Sequence, residues 1–334
     1  MFRRIALAAA CLAALVVVLG AWVRLTDAGL GCPDWPGCYG HLHPAQAAGD
    51  VAGQQAFPSR RFDYAKALHE MVHRYFATGL GFGIASLLVL AFWNRKDPAQ
   101  PVKPVLLLFL LVCLQGALGA FTVTLLLKPL IVTSHLLGGL TTLGLLVWLA
   151  WRPERRAPLE ADLRLRRFAL LGLSVLAVQI ALGGWTSTNY ASVACPDFPT
   201  CQGSFWPHMD FRNAFVLWRG LGIDYEGGVL AAPARVAIHF THRLGAVVAG
   251  GVLIALGLRA WFGGASRRVK GTAALLLCAV VLQIGLGVST VLLGVPLAVA
   301  TAHNAGAALL VIAMVSLLRA LWPERAGTAA PRNP

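Results

Sequence analysis

The chain has 334 residues, 57% of them hydrophobic and only 13% charged, against roughly 25% charged residues in a soluble protein. So much apolar surface excludes a water-soluble globular domain. The formal net charge of +14 does not indicate a nucleic-acid partner either, because it is sorted by position: 18 of the 28 Lys and Arg residues fall in the N-terminus, 94–104, 152–167, 259–270 and the C-terminal tail.

Apolar runs of about 20 residues mark spanning helices. Eight are predicted, at approximately 5–24, 72–93, 104–125, 131–151, 168–188, 237–261, 272–293 and 297–321. The first follows Arg3 and Arg4 but is too long for the apolar core of a cleaved signal peptide. It also has a counterpart later in the chain, so it is read as retained. A loop at about 25–68, rich in Gly, Pro and aromatics, leads to the second helix, and a tight hairpin joins the third to the fourth. The Arg-rich linker 152–167 then opens a second set of four helices with the same layout, its long loop at 189–235. The basic segments all lie on one side, so the positive-inside rule puts both termini in the cytoplasm and the long loops outside.

An internal repeat accounts for this layout. GAWVRLTDAGLGCPDWPGC (20–38) aligns without gaps on GGWTSTNYASVACPDFPTC (183–201) at an offset of 163. LQGALGAFTV from Leu114 aligns on LQIGLGVSTV from Leu282 at 168, His73-Arg74 on His242-Arg243 at 169, and His135 on His303 at 168. The expected fold is therefore all-α and integral to the membrane: eight transmembrane helices as two four-helix bundles related by a pseudo-twofold axis along the membrane normal. The halves are residues 1–155 and 156–334.

Four of the nine histidines occupy repeat-equivalent places. His73 and His242 lie near the start of the second helix of each half, His135 and His303 near the start of the fourth. All four helices enter from the outer face, so the four imidazoles share one depth. Ionisable residues within spanning helices are costly and mark function. Two imidazoles from facing helices of a bundle suit the axial positions of haem iron. Gly138, Gly139, Gly245 and Gly306 beside the ligands leave room for a flat macrocycle, and Arg74 and Arg243 are candidates for pairing with haem propionates. His69-Glu70-Met71-Val72-His73 also fits the HExxH zinc pattern. The second half reads His239-Phe240-Thr241-His242 and lacks the Glu, and a zinc site leaves His135 and His303 unexplained. Glu70 lies one turn outward of His73 on the same helix face, and it has no acidic equivalent in the second half. This unmatched carboxylate separates a reactive site from a holding site.

Cys32 and Cys38 flank Pro-Asp-Trp-Pro-Gly, and Cys195 and Cys201 flank Pro-Asp-Phe-Pro-Thr. In outer loops, where the compartment is oxidising, a disulfide within each pair is the simplest reading. Zinc binding lacks evident further ligands, although His41 and His43 follow the first pair. A redox role for the first pair stays open. Cys11, Cys113 and Cys278 sit in apolar helices, as small packing residues.

The combination of CPDWPGC, Glu70-x-x-His73-Arg74, His135 and a second half repeating all but the Glu resembles the haem A synthases, in the bacterial class with cysteine pairs in both outer loops. That resemblance covers almost the whole chain. It implies an oxidoreductase that converts a ring methyl of haem O to the formyl group of haem A for terminal oxidases, by two successive hydroxylations with water-derived oxygen. It implies His73 and His135 as ligands of substrate haem O, Glu70 as the catalytic carboxylate, and a haem b cofactor ligated by His242 and His303. It further implies the bacterial cytoplasmic membrane, contact with lipid and with a haem O synthase, and an electron acceptor that the sequence does not identify. A non-enzymatic dihaem cytochrome also explains the histidines but gives Glu70 no reason to occur once.

Overall fold

The computed structural model describes residues 1–58, 60–97, 100–151, 163–263 and 266–322. The half boundary at 155/156, Arg152, Arg155 and Arg156 of the linker, and Arg325 and Arg332 of the tail lie outside the described residues. In chain order the elements are α1 (Phe2–Leu25), α2 (Pro44–Gly49), α3 (Val51–Gln55), α4 (Tyr64–Trp93), α5 (Val102–Thr124), α6 (Pro129–Ala150), α7 (Leu163–Thr188), α8 (Phe211–Ala214), α9 (Ala232–Gly263), α10 (Arg267–Leu292) and α11 (Leu297–Leu321). Among the described residues, eight helices are long and apolar enough to cross a membrane.

The sequence-based starts of α4 and α9 are corrected outward. α4 begins at Tyr64 rather than 72, because the Asp63 carboxylate accepts the Ala65 and Lys66 amides and caps the helix. α9 begins at Ala232 rather than 237. His73 is thus the tenth residue of α4 and His242 the eleventh of α9, while His135 and His303 are each the seventh of α6 and α11. At 1.5 Å per residue, all four lie ~9–15 Å inward of their helix starts.

Helix neighbours repeat between the halves. α1 packs on α4 and α6, and α5 on α4 and α6; α7 packs on α9 and α11, and α10 on α9 and α11. α6 and α11 also pack on each other, with Gly144 against Val311 and Val315. Several repeat-equivalent positions touch one another. Arg24 donates to the Ser187 carbonyl, 163 residues on, at 2.6 Å. Tyr190 donates to Asp27, also 163 apart, at 2.8 Å. At the opposite end, Arg319 donates to the carbonyl of Trp151, 168 residues before it, at 3.2 Å.

One core cluster runs through both halves, built from small residues such as Ala6, Ala13 and Ala313 together with Leu87, Leu143 and Met314. The outer surface is apolar as well: Phe82, Val247 and Phe262 are 71%, 74% and 79% exposed. In water such a belt would drive aggregation. Against lipid tails it is the expected exterior, and the helices satisfy their own backbone groups. Cys11, Cys113 and Cys278 belong to this exterior, since all three are exposed. They face outward rather than packing inside as their apolar context suggested.

The second outer loop also reaches across to the first half. Tyr225 donates its amide to the Leu126 carbonyl at 3.1 Å, and its ring joins Leu30, Val123 and Leu127 in a small core. Lys128 is 2% exposed; its ammonium donates to the Gly220 carbonyl and lies 3.5 Å from the centre of the Trp218 ring. Arg60 pairs with Asp224 at 2.5 Å and with Glu226. Partly exposed pairs contribute up to about 1 kcal/mol. Arg60→Ala is therefore expected to lower thermal stability slightly in detergent, by an amount that shrinks as salt is raised.

Candidate functional site

Each cysteine loop is a closed unit seated on the helix that carries a histidine. Cys32–Cys38 and Cys195–Cys201 form disulfides, both with Cα atoms 4.6 Å apart. The Asp of each CPD motif folds its loop from within. Asp34 accepts the Tyr39 and Gly40 amides at 2.5 and 2.9 Å, and Asp197 accepts those of Gln202 and Gly203 at 2.5 and 3.0 Å. The Thr200 hydroxyl, with the Gly203 amide, holds the Asp197 carboxyl below the ordinary carboxylate range. Isolated antiparallel bridges, Cys38 to His41 and Cys201 to Ser204, finish both loops alike.

Arg74 and Arg243 fasten these loops down. Arg74 donates to the carbonyls of Asp34, Pro36 and Gly37 at 3.1, 3.3 and 2.5 Å. Arg243 donates to Cys195, Asp197 and Thr200 at 2.7, 2.8 and 2.8 Å. The donors singled out as candidates for propionates are thus directed at loop carbonyls.

Glu70 is 4% exposed. One carboxylate oxygen accepts from Arg74 at 2.5 Å, and the other accepts the Cys32 amide at 2.9 Å. The second half makes the same pair of contacts with a different residue. His239 is 5% exposed; its Nδ1 accepts the Cys195 amide at 3.4 Å, and its Nε2 lies 3.4 Å from Arg243 Nε. Glu70 therefore has a structural counterpart after all. The halves share the joint between loop, arginine and helix, and they differ in the charge placed there. His69, next to Glu70, meets Trp22 edge-on with ring centroids 6.1 Å apart.

The four repeat-equivalent histidines face into their own bundles. Each ring rests on a glycine of a neighbouring helix. A Cβ added at Gly20 would come 2.9 Å from the His73 ring, at Gly119 3.5 Å from His135, at Gly183 3.1 Å from His242 and at Gly287 3.1 Å from His303. These four glycines are not the ones singled out above. Gly138, Gly245 and Gly306 are instead covered by the side chains of Gln115, Gln179 and Gln283. Both contact pairs were visible in the repeat, since Gly20 aligns with Gly183 and Gly119 with Gly287; only their partners needed three dimensions.

The ring nitrogens suit a metalloporphyrin. The Nδ1 atoms of His73, His135 and His303 are buried without hydrogen-bond partners, while His242 Nδ1 is 3.0 Å from the Gln179 amide. Imidazoles on α4 and α6, and again on α9 and α11, could each supply two axial nitrogens to a haem. Overfilling a tight contact costs about 1–3 kcal/mol. Gly183→Ala is accordingly expected to displace the His242 ring and to lower the haem content of the purified protein, read by absorbance.

The model of the COX15-CtaA family, described as cytochrome oxidase assembly protein, matches residues 3–315. The heme A synthase of Shewanella oneidensis is 43% identical over 321 residues, covering 94% of this chain and 95% of that protein. The heme A synthases of Rhizorhabdus wittichii and Rhodospirillum centenum are 30% and 31% identical, covering 90% and 92% of this chain and 88% and 85% of theirs. The chain belongs to the COX15-CtaA family of cytochrome oxidase assembly proteins.

Proposed function

We propose that this protein carries out the haem A synthase reaction, oxidising a ring methyl group of haem O to the formyl group of haem A for terminal oxidases. The observation that carries the reading is the substitution at one shared joint, Glu70 in the first half and His239 in the second. Two bundles able to hold a haem, of which one adds a buried carboxylate, suit one reacting and one resident haem. We assign residues 1–155 to the substrate half and residues 156–334 to the cofactor half.

In this reading His73 and His135 bind substrate haem O and fix its plane, and the apolar walls of the bundle bury the macrocycle. Methyl to formyl releases four electrons and four protons and takes its oxygen from water. Glu70 acts in this step by accepting a proton or by stabilising positive charge that develops beside the ring. Arg74 and the Cys32 amide hold the carboxylate in one orientation. His242 and His303 hold haem b, which supplies one-electron transfer toward an acceptor outside the chain. Propionates at the outer margin would share Arg74 and Arg243 with the loop carbonyls. The same reading puts both termini in the cytoplasm, the cysteine loops on the outer face of a bacterial cytoplasmic membrane, and a haem O synthase as the supplier of substrate.

The test is expression beside a haem O synthase followed by pigment extraction. Haem A is the expected product. If haem O remains unconverted in the wild-type sample, the proposal fails.

A further inference from the structure

Gln115 is 8% exposed, and neither its amide nitrogen nor its amide oxygen has a hydrogen-bond partner. A buried primary amide without partners is costly and calls for an explanation. The side chain lies over Gly138, where an added Cβ would fall 1.9 Å from the amide nitrogen. That is about one turn inward of His135. The repeat equivalent, Gln283, is 168 residues on; its amide oxygen is also without a partner, but its amide nitrogen is occupied. It donates to the His303 carbonyl at 3.0 Å and lies 3.4 Å from the His303 ring.

The neighbouring position differs as well. In the second half Ile284 closes the seam between α9 and α10, its Cδ1 reaching 3.4 Å from where a Cβ on Gly250 would stand. The first-half equivalents are Gly116 and Gly81, and at both nothing lies within 4 Å of an added Cβ. The seam between α4 and α5 is open where the seam between α9 and α10 is filled.

Haem O differs from haem b in carrying a hydroxylated farnesyl chain in place of one vinyl group. The chain leaves the edge opposite the propionates, so it points inward when the propionates sit at the outer margin. We infer that Gln115 and the open seam at Gly81 and Gly116 select haem O over haem b in the first half. Gln115 hydrogen-bonds the hydroxyl of the side chain, and the seam lets the isoprenoid chain pass between α4 and α5 into lipid. The inference rests on the functional reading above and gives that site its specificity determinant. Lipid is as apolar as the seam, so the opening supplies passage rather than affinity. Discrimination by the amide follows because a site built to bond a hydroxyl disfavours an analogue lacking it.

The experiment uses the full chain, purified from cells that make both haem B and haem O, and counts extracted haems per polypeptide. Gln115→Leu is expected to lower haem O plus haem A about tenfold, as loss of one buried hydrogen bond implies. Gly116→Ile is expected to remove haem O and haem A while haem B rises above the wild-type count, as the first half takes the smaller haem. Ile284→Gly, which removes atoms instead of adding them, is expected to bring haem O into the second half and raise the haem O count as haem B falls. An unchanged ratio of haem O plus haem A to haem B in Gln115→Leu and Gly116→Ile, or no gain of haem O in Ile284→Gly, overturns the inference alone. Wild-type protein holding neither haem O nor haem A overturns the functional reading and this inference with it.

Discussion

Glu70→His is expected to abolish haem A formation while leaving the first cysteine loop, the disulfide and both haem sites intact. The second half already uses this residue at the equivalent joint, where His239 accepts the Cys195 amide and meets Arg243. Histidine at 70 can therefore hold the Cys32 amide and contact Arg74 without carrying a carboxylate. Positioned acid–base groups contribute about 10²–10⁴-fold to a rate, so conversion of haem O should fall at least ~100-fold. Glu70→Ala mixes two effects, because it also leaves a guanidinium with a side chain only 12% exposed without its carboxylate partner. Breaking a buried pair in this way costs about 3–5 kcal/mol, so low activity in Glu70→Ala would not separate chemistry from a displaced loop. The measurement is the haem A to haem O ratio in extracts, read beside the b-type spectrum and free-thiol count of the same sample. Near-wild-type conversion by Glu70→His would remove Glu70 from the chemistry and leave it as a fastener.

Histidine substitutions are expected to divide the pigments between the halves. His242→Ala or His303→Ala should reduce b-type haem to below about a tenth of the wild-type content. Ligand loss should exceed the 10–100-fold effects of losing an outer-shell partner. His73→Ala or His135→Ala should spare that haem and remove haem O and haem A. Reduced-minus-oxidised spectra together with extracted-haem analysis distinguish the two patterns. If all four variants lose the same haem, the halves do not have separate occupants.

The eight spans and the paired histidines were legible because both are periodic signals: apolar runs of bilayer length, and landmarks recurring at 163 to 169 residues. The outward extensions of α4 and α9 were not, since Tyr64-Ala-Lys-Ala-Leu-His lacks the apolarity of a spanning segment and is made helical by the Asp63 cap. The positional equivalence of Glu70 and His239 stood in the repeat, but their shared contacts were hidden for a chemical reason. A carboxylate and an imidazole share no sequence similarity, yet both accept an amide on one side and meet an arginine on the other. The glycines beneath the ligand rings stood in the aligned stretches, but nothing in a linear pattern says that Gly20 meets His73 or that Gly287 meets His303. Gln115 was silent for the same reason, because its distinction from Gln283 lies in what each amide touches.

The docking of Lys128 changes what the duplication means for the protein as it now stands. Lys128 is 2% exposed, and its ammonium relies on the Gly220 carbonyl and the Trp218 ring, both supplied by the other half. The repeat partner of Lys128 is Pro296, so no reciprocal contact exists. A first half synthesised alone would leave that cation stranded at the turn between α5 and α6, and a second half alone would uncover the Tyr225 ring that packs on Leu30, Val123 and Leu127. Autonomy has been lost on both sides: the half assigned to chemistry needs its partner to cover a cation, and the half assigned to holding a haem needs its partner to cover an aromatic ring.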